Sequence, residues 1–222
     1  MSSIMDAVNA IGEWTHVPPA KVKSIARKLI DDGVLPKSKG KRIAEISTPE
    51  FVKLLFACVA SDTVADATQC AETYFSLPAN EQWGMRPIAE SVGDHASQLG
   101  SFIVRVINDI NDEILVVNSM YGEEIQISIN EKVVSINGLH YDRNGESLGD
   151  VYYNLPGEHR PGEFMIGKSR VVVHMSVFQL AEMVSGLSFR EDAPPPRADG
   201  RARIALSAKR RVRLTLKAKE SA

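Results

Sequence analysis

The chain has 222 residues, with 26 lysines and arginines against 28 aspartates and glutamates, and 44% of it is hydrophobic. That apolar share supplies a buried core, which excludes a wholly disordered or collagen-like chain. The longest uncharged apolar runs, such as residues 56–60, fall far short of the roughly 18–20 residues that cross a bilayer.

Taken in chain order, the first 75 residues read as helical. Ile4, Ala7, Val8 and Ile11 follow helical spacing. Pro18 and Pro19 suit the first turn of a second helix, where a missing N–H costs nothing. That helix carries Val22, Ile25, Ala26, Leu29 and Ile30 on one face and should stop at Gly33. Ser47-Thr48-Pro49-Glu50 starts a third, an apolar helix over residues 51–60. Asp62 can cap a fourth, running to about Phe75. Residues 78–87 read as a loop, and a bridging helix is expected over residues 89–111.

The character then changes. Residues 114–118, 124–130, 132–136, 151–155 and 165–174 are rich in Val, Ile and Tyr, with partial alternation, and read as strands. Asn137-Gly138 and Asn144-Gly145 are tight-turn signals. A last helix over 177–184 should pack back on this sheet. Pro194-Pro195-Pro196 breaks structure ahead of a basic tail.

The formal net charge of −2 hides a segregation. Residues 1–60 carry a net charge of +3, 61–96 carry −5, 97–190 carry −5, and 191–222 carry +5. Two basic ends around an acidic middle point to polyanion contacts at the ends and a different task between them.

The most informative stretch is Ile11-Gly12-Glu13-Trp14-Thr15-His16-Val17-Pro18-Pro19-Ala20-Lys21-Val22, leading into Ser24-Ile25-Ala26-Arg27-Lys28-Leu29 and ending in Asp32-Gly33-Val34-Leu35-Pro36. A helix, a short turn and a second amphipathic helix is the order of a helix-turn-helix. On a helical wheel Ser24, Arg27, Lys28 and Asp31 lie opposite the apolar sector, with Lys21 and Lys23 at its edges. Arg27 suits a bidentate contact to guanine, because its planar fork matches O6 and N7. Lys21, Lys23 and Lys28 suit phosphates. Lys37, Lys39, Lys41 and Arg42 then form a basic loop that can serve as a wing.

These residues resemble the simple or winged helix-turn-helix modules of DNA-binding proteins encoded by phages and mobile elements of proteobacteria. The resemblance covers roughly residues 4–75 and implies that the helix over 18–32 is the reader. Asp31 and Asp32 near the DNA face and the double proline depart from the pattern.

In the tail, Arg201, Arg203, Lys209, Arg210, Arg211 and Arg213 can add salt-dependent, sequence-independent affinity for DNA. The alternation in residues 211–216 also allows a strand added to a sheet edge of another subunit.

Enzymatic chemistry finds little support. His16, His95, His140, His159 and His174 show no ligand spacing, and Cys58 and Cys70 are too few for a disulfide framework. Residues 142–153 miss the glycine and glutamate of a calcium loop. No nucleophile elbow or phosphate loop occurs.

The expectation is therefore an α+β protein: a helix-turn-helix module over 1–76, a linker over 77–96, a β-rich acidic domain with a flanking helix over 97–190, and a disordered basic tail over 191–222. Its expected role is a transcriptional regulator that binds double-stranded DNA as a homo-oligomer, with a protein partner available to the acidic domain. It would be cytoplasmic, since no signal peptide is apparent, and would use no metal, cofactor or membrane. The alternatives are a phage packaging or assembly component with a DNA-recognising N-terminus, and a protein-binding inhibitor.

Overall fold

A computed structural model describes residues 1–38, 43–79, 97–112, 124–129, 132–137, 140–141, 146–147, 151–154 and 172–190. The fold is α+β. Four helices come first: α1 (Ile4–Trp14), α2 (Pro19–Asp31), α3 (Thr48–Ala60) and α4 (Ala67–Phe75). Helix α5 (Leu99–Asn111) precedes strands β1 (Glu124–Ser128), β2 (Val133–Asn137), β3 (His140–Tyr141), β4 (Glu146–Ser147), β5 (Val151–Tyr153) and β6 (Val172–Ser176). Helix α6 (Val177–Ser185) follows directly on β6.

Local chemistry explains most of these boundaries. Capping boxes open α1, α3 and α6: Ser3 with Asp6, Ser47 with Glu50, and Ser176 with Gln179. Helix α2 starts on its double proline and ends in a Schellman motif, with Val34 N–H donating to the Leu29 carbonyl at 2.9 Å and Gly33 N–H to that of Ile30 at 3.2 Å. Gly33 takes φ +79°, which a side chain would oppose.

Two helices start later than the sequence suggests. Helix α4 begins at Ala67, not next to Asp62, because residues 61–66 form their own turn, with the Thr63 hydroxyl bonded to Asp66 at 2.7 Å. Among the described residues the bridging helix begins at Leu99, because Gln98 is extended and bridges Pro78. The strand expected over 114–118 lies outside the described residues.

The sheet has the order β5-β2-β1-β6, with every neighbour antiparallel. Ile125 faces Ile136 on one side and Met175 on the other, and Ile127 likewise faces Val134 and Val173, so one face of the sheet is apolar. Strands β3 and β4 pair only with each other, flanking the Asn144-Gly145 turn signal. Strand β2 pairs with β1 and β5, and Gly138 of the other turn signal lies outside the described residues.

The described residues all fall within one compact unit, Met1–Glu191. The helices and strands that the sequence divides at 77–96 share a single apolar core. Contacts on both sides of that stretch join them. The Tyr74 hydroxyl donates to the carbonyls of Ser128 and Ile129 at 3.3 and 3.2 Å. Ala79 bridges Tyr153, and within the later stretch the Phe102 ring of α5 lies 5.9 Å from that of Tyr153 in β5. Helix α6 packs on α1 and α5 as well as on β6, rather than on the sheet alone.

Three distant segments are also tied together. Ser2 N–H donates to the Ser188 carbonyl at 2.6 Å, Ile46 N–H to that of Ser2 at 3.1 Å, and Arg190 N–H to that of Ile46 at 2.9 Å. The Phe189 ring meets that of Phe51 at 5.4 Å in a tilted contact, and the Arg190 guanidinium meets Glu50 at 3.0 Å. The clasp thereby holds the start of α1 and the start of α3 against the last residues of the unit.

Candidate nucleic-acid interface

The turn between α1 and α2 is built from Thr15, His16, Val17 and Pro18. Thr15 closes α1 by donating its hydroxyl to the Ile11 carbonyl at 2.6 Å, and Val17 N–H donates to the same hydroxyl at 3.4 Å. His16 takes φ +57°, the left-handed conformation that reverses the chain there. Val17 packs on the core and Pro19 opens α2.

Helix α2 buries Val22, Ile25, Ala26 and Leu29, leaves Ile30 half-buried, and packs against α1, α3 and α4. One stripe stays outside: Ala20, Lys23, Ser24, Arg27 and Asp31 are all exposed. These positions recur at three- and four-residue steps, the spacing of one helix face. Lys23 and Arg27 make no ion pair or hydrogen bond among the described residues. The Ser24 hydroxyl donates to the Ala20 carbonyl at 2.9 Å and keeps its lone pairs for an outside donor.

Two of the expected phosphate contacts do other work. The Lys21 ammonium donates to the carbonyls of Ser61 and Asp62 at 2.9 and 3.4 Å. These carbonyls follow directly on α3, whose end carries partial negative charge, so Lys21 ties α2 to the chain just past that helix end. Lys28 pairs with Asp32 at 2.8 Å, and the Thr68 hydroxyl of α4 donates to the other oxygen of the same carboxylate. These bonds, Lys28 first and Thr68 second, hold the Asp32 carboxyl below its ordinary pKa. The wheel places Lys21 at the edge of the outward sector, where the chain just after α3 stands within reach, and Lys28 inside that sector, where Asp32 at the end of the same helix meets it.

The basic loop is described only at its ends. Lys37 is exposed, and Ala44 N–H donates to the Ser38 hydroxyl at 3.1 Å, which draws the two ends together. Lys39, Lys41 and Arg42 lie outside the described residues, as do Arg201, Arg203, Lys209, Arg210, Arg211 and Arg213.

Elsewhere the titratable groups read as structural. Burial pushes the Cys58 thiol up to about 12 and raises that of Cys70. Burial likewise raises the Tyr74 phenol. His174 Nδ1 meets Glu124 Oε1 at 2.5 Å across β6 and β1. The Glu124 carboxyl is held low by its bond from Gln126 first and by His174 second. Among the described residues no three His, Cys, Asp or Glu side chains come together as a metal site would need. No described helix is long and apolar enough to cross a membrane.

The sequence reading missed the Lys21 tie, whose partners are 40 and 41 residues away. It also missed the Lys28–Asp32 pair, which its i,i+4 spacing could have flagged. No protein-family model, curated protein or solved structure matches the chain.

Proposed function

We propose that the chain binds double-stranded DNA through the outward stripe of α2 and acts as a transcriptional regulator in the cytoplasm. The observation that carries this reading is the division of cations on α2. Lys23 and Arg27 are left free on one exposed stripe with Ser24, while neighbouring lysines on the same helix are engaged by the protein. A helix held on three sides by other helices and presenting one polar stripe is what major-groove docking requires. Arg27 has the fork for a guanine edge, and Lys23 has the reach for a phosphate. Lys37 and the rest of the 37–42 loop, together with the tail, add positive charge without sequence preference.

A single short helix reads few base pairs, so the reading includes a homo-oligomer that supplies a second half-site. Fluorescence anisotropy on a mixed duplex pool across a salt series tests the proposal. Full-length protein should bind with an affinity that falls steeply with salt, by about 0.9 log units per log unit of salt for each neutralised phosphate. The chain cut after Arg190 should bind with a shallower slope and keep its preference among sequences. Absence of binding by the full-length protein at low salt overturns the reading. Loss of all binding on truncation would leave only a polyanion arm.

A further inference from the structure

Helix α2 carries two acid–base pairs at i,i+4 spacing, and the structure treats them differently. Lys28 and Asp32 are closed on each other at 2.8 Å, and Thr68 occupies the second carboxylate oxygen. Arg27 and Asp31 are exposed, and neither makes a hydrogen bond or ion pair among the described residues. Asp31 is also the last residue of α2. The helix end there is already negative, so an unpaired carboxylate at that position works against stability.

On the face proposed to enter a groove, that carboxylate is repelled by every phosphate. Among base edges, an exposed amino donor is what can offset it, which leaves cytosine N4 and adenine N6. Adenine sets the N7 acceptor beside its amino group, and a carboxylate, having no proton to give, is repelled by it. Cytosine offers its amino donor with no acceptor on the same base edge. Arg27 sits about one helical turn away, about 6 Å along the axis, within reach of a base edge one or two steps of about 3.4 Å away.

We propose that Asp31 is a specificity-determining residue that accepts a hydrogen bond from cytosine N4 next to the guanine contacted by Arg27. The target duplex then carries a cytosine and a guanine at adjoining edges under the end of α2. This inference rests on the DNA-binding reading and adds to it the class of site. It makes Asp31, a departure from the helix-turn-helix pattern, the source of a base preference.

The test is selection from a random duplex pool with full-length protein, followed by affinity measurement on the selected and unselected duplexes. Wild type should select a motif containing the cytosine and guanine. Asp31→Ala should lose the cytosine preference by about tenfold at that one position, and should bind unselected duplex more tightly. Asp31→Asn should shift the same position toward adenine, whose N6 and N7 an amide can bond together. Arg27→Ala should relax the guanine and weaken binding to every duplex. If Asp31→Ala selects the wild-type motif with an unchanged ratio, the inference is overturned. If wild type binds duplex but selects no motif, the inference falls while DNA binding stands; if wild type binds no duplex at all, both fall.

Discussion

Two sides of one helix carry the same kind of side chain to different ends. On the outward stripe of α2, Lys23 and Arg27 stand in water with no partner among the described residues. On its flanks, Lys21 reaches the chain just past α3 and Lys28 pairs with Asp32 beside α4. The four cations lie within eight consecutive residues, so composition and local charge treat them alike. Their surroundings separate them: Lys21 reaches carbonyls just after α3, and Lys28 meets Asp32 at the end of its own helix, a carboxylate that Thr68 of α4 also bonds. The stripe should therefore govern binding and the flanks should govern stability.

Substitutions graded by expected effect can break or sharpen that division. The largest concerns the buried side. Ile25 is fully buried beneath the stripe, and Ile25→Ala should cost about 2–5 kcal/mol in denaturant unfolding, through lost burial and a cavity. Gly100→Ala tests stability loss away from α2. A Cβ there would overlap the Phe75 ring, so that ring or the helices around it must give, at about 1–3 kcal/mol. Below its unfolding midpoint this variant should keep wild-type affinity for DNA. An affinity loss there would mean that binding reports folding rather than the stripe.

Lys21→Met removes the bonds to the Ser61 and Asp62 carbonyls while keeping an unbranched apolar stem, and should cost about 1 kcal/mol of stability. Thermal unfolding measures it, and DNA affinity should change by less than about twofold, because that ammonium faces the protein.

The smallest effect is a pH dependence. The Asp32 carboxyl is held below its ordinary value of 3.8 in the fold, chiefly by Lys28 and Thr68. A depressed carboxylate stabilises the folded state fully above the unfolded value and loses that contribution as pH falls through the folded one. Wild type should therefore lose stability on acidification below about pH 4, and Asp32→Asn should flatten that part of the profile. Equal acid sensitivity of the two proteins would remove the Lys28–Asp32–Thr68 cluster from the account.

Much of the fold was legible because its signals are local. The periodicity of Ile4, Ala7, Val8 and Ile11, the Ser47–Glu50 box and Gly33 at the end of α2 each act within one or two turns. The union of helices and strands in one core was not legible. It depends on Tyr74 reaching the carbonyls of Ser128 and Ile129, and on Phe102 meeting Tyr153, across some fifty residues of chain. The clasp of residues 2, 46, 188 and 190 is hidden for the same reason, since backbone bonds between distant segments leave no periodic trace. At the interface, Arg27 and Lys23 were legible as the outward face. The partner of Lys21 was not legible, because a wheel shows which way a side chain leaves its own helix and not which other segments stand beside it; the Lys28–Asp32 pair is local and its spacing carried the signal.

The most direct test compares two double variants of full-length protein in duplex-binding anisotropy at one moderate salt concentration, with unfolding measured in parallel. Lys23→Ala with Arg27→Ala should lower affinity by about tenfold or more with stability within about 0.5 kcal/mol of wild type. Lys21→Met with Lys28→Gln should lower stability and leave affinity within about twofold of wild type. The reverse pattern, with affinity lost only when Lys21 and Lys28 are replaced, would contradict the division of α2 into a binding stripe and structural flanks.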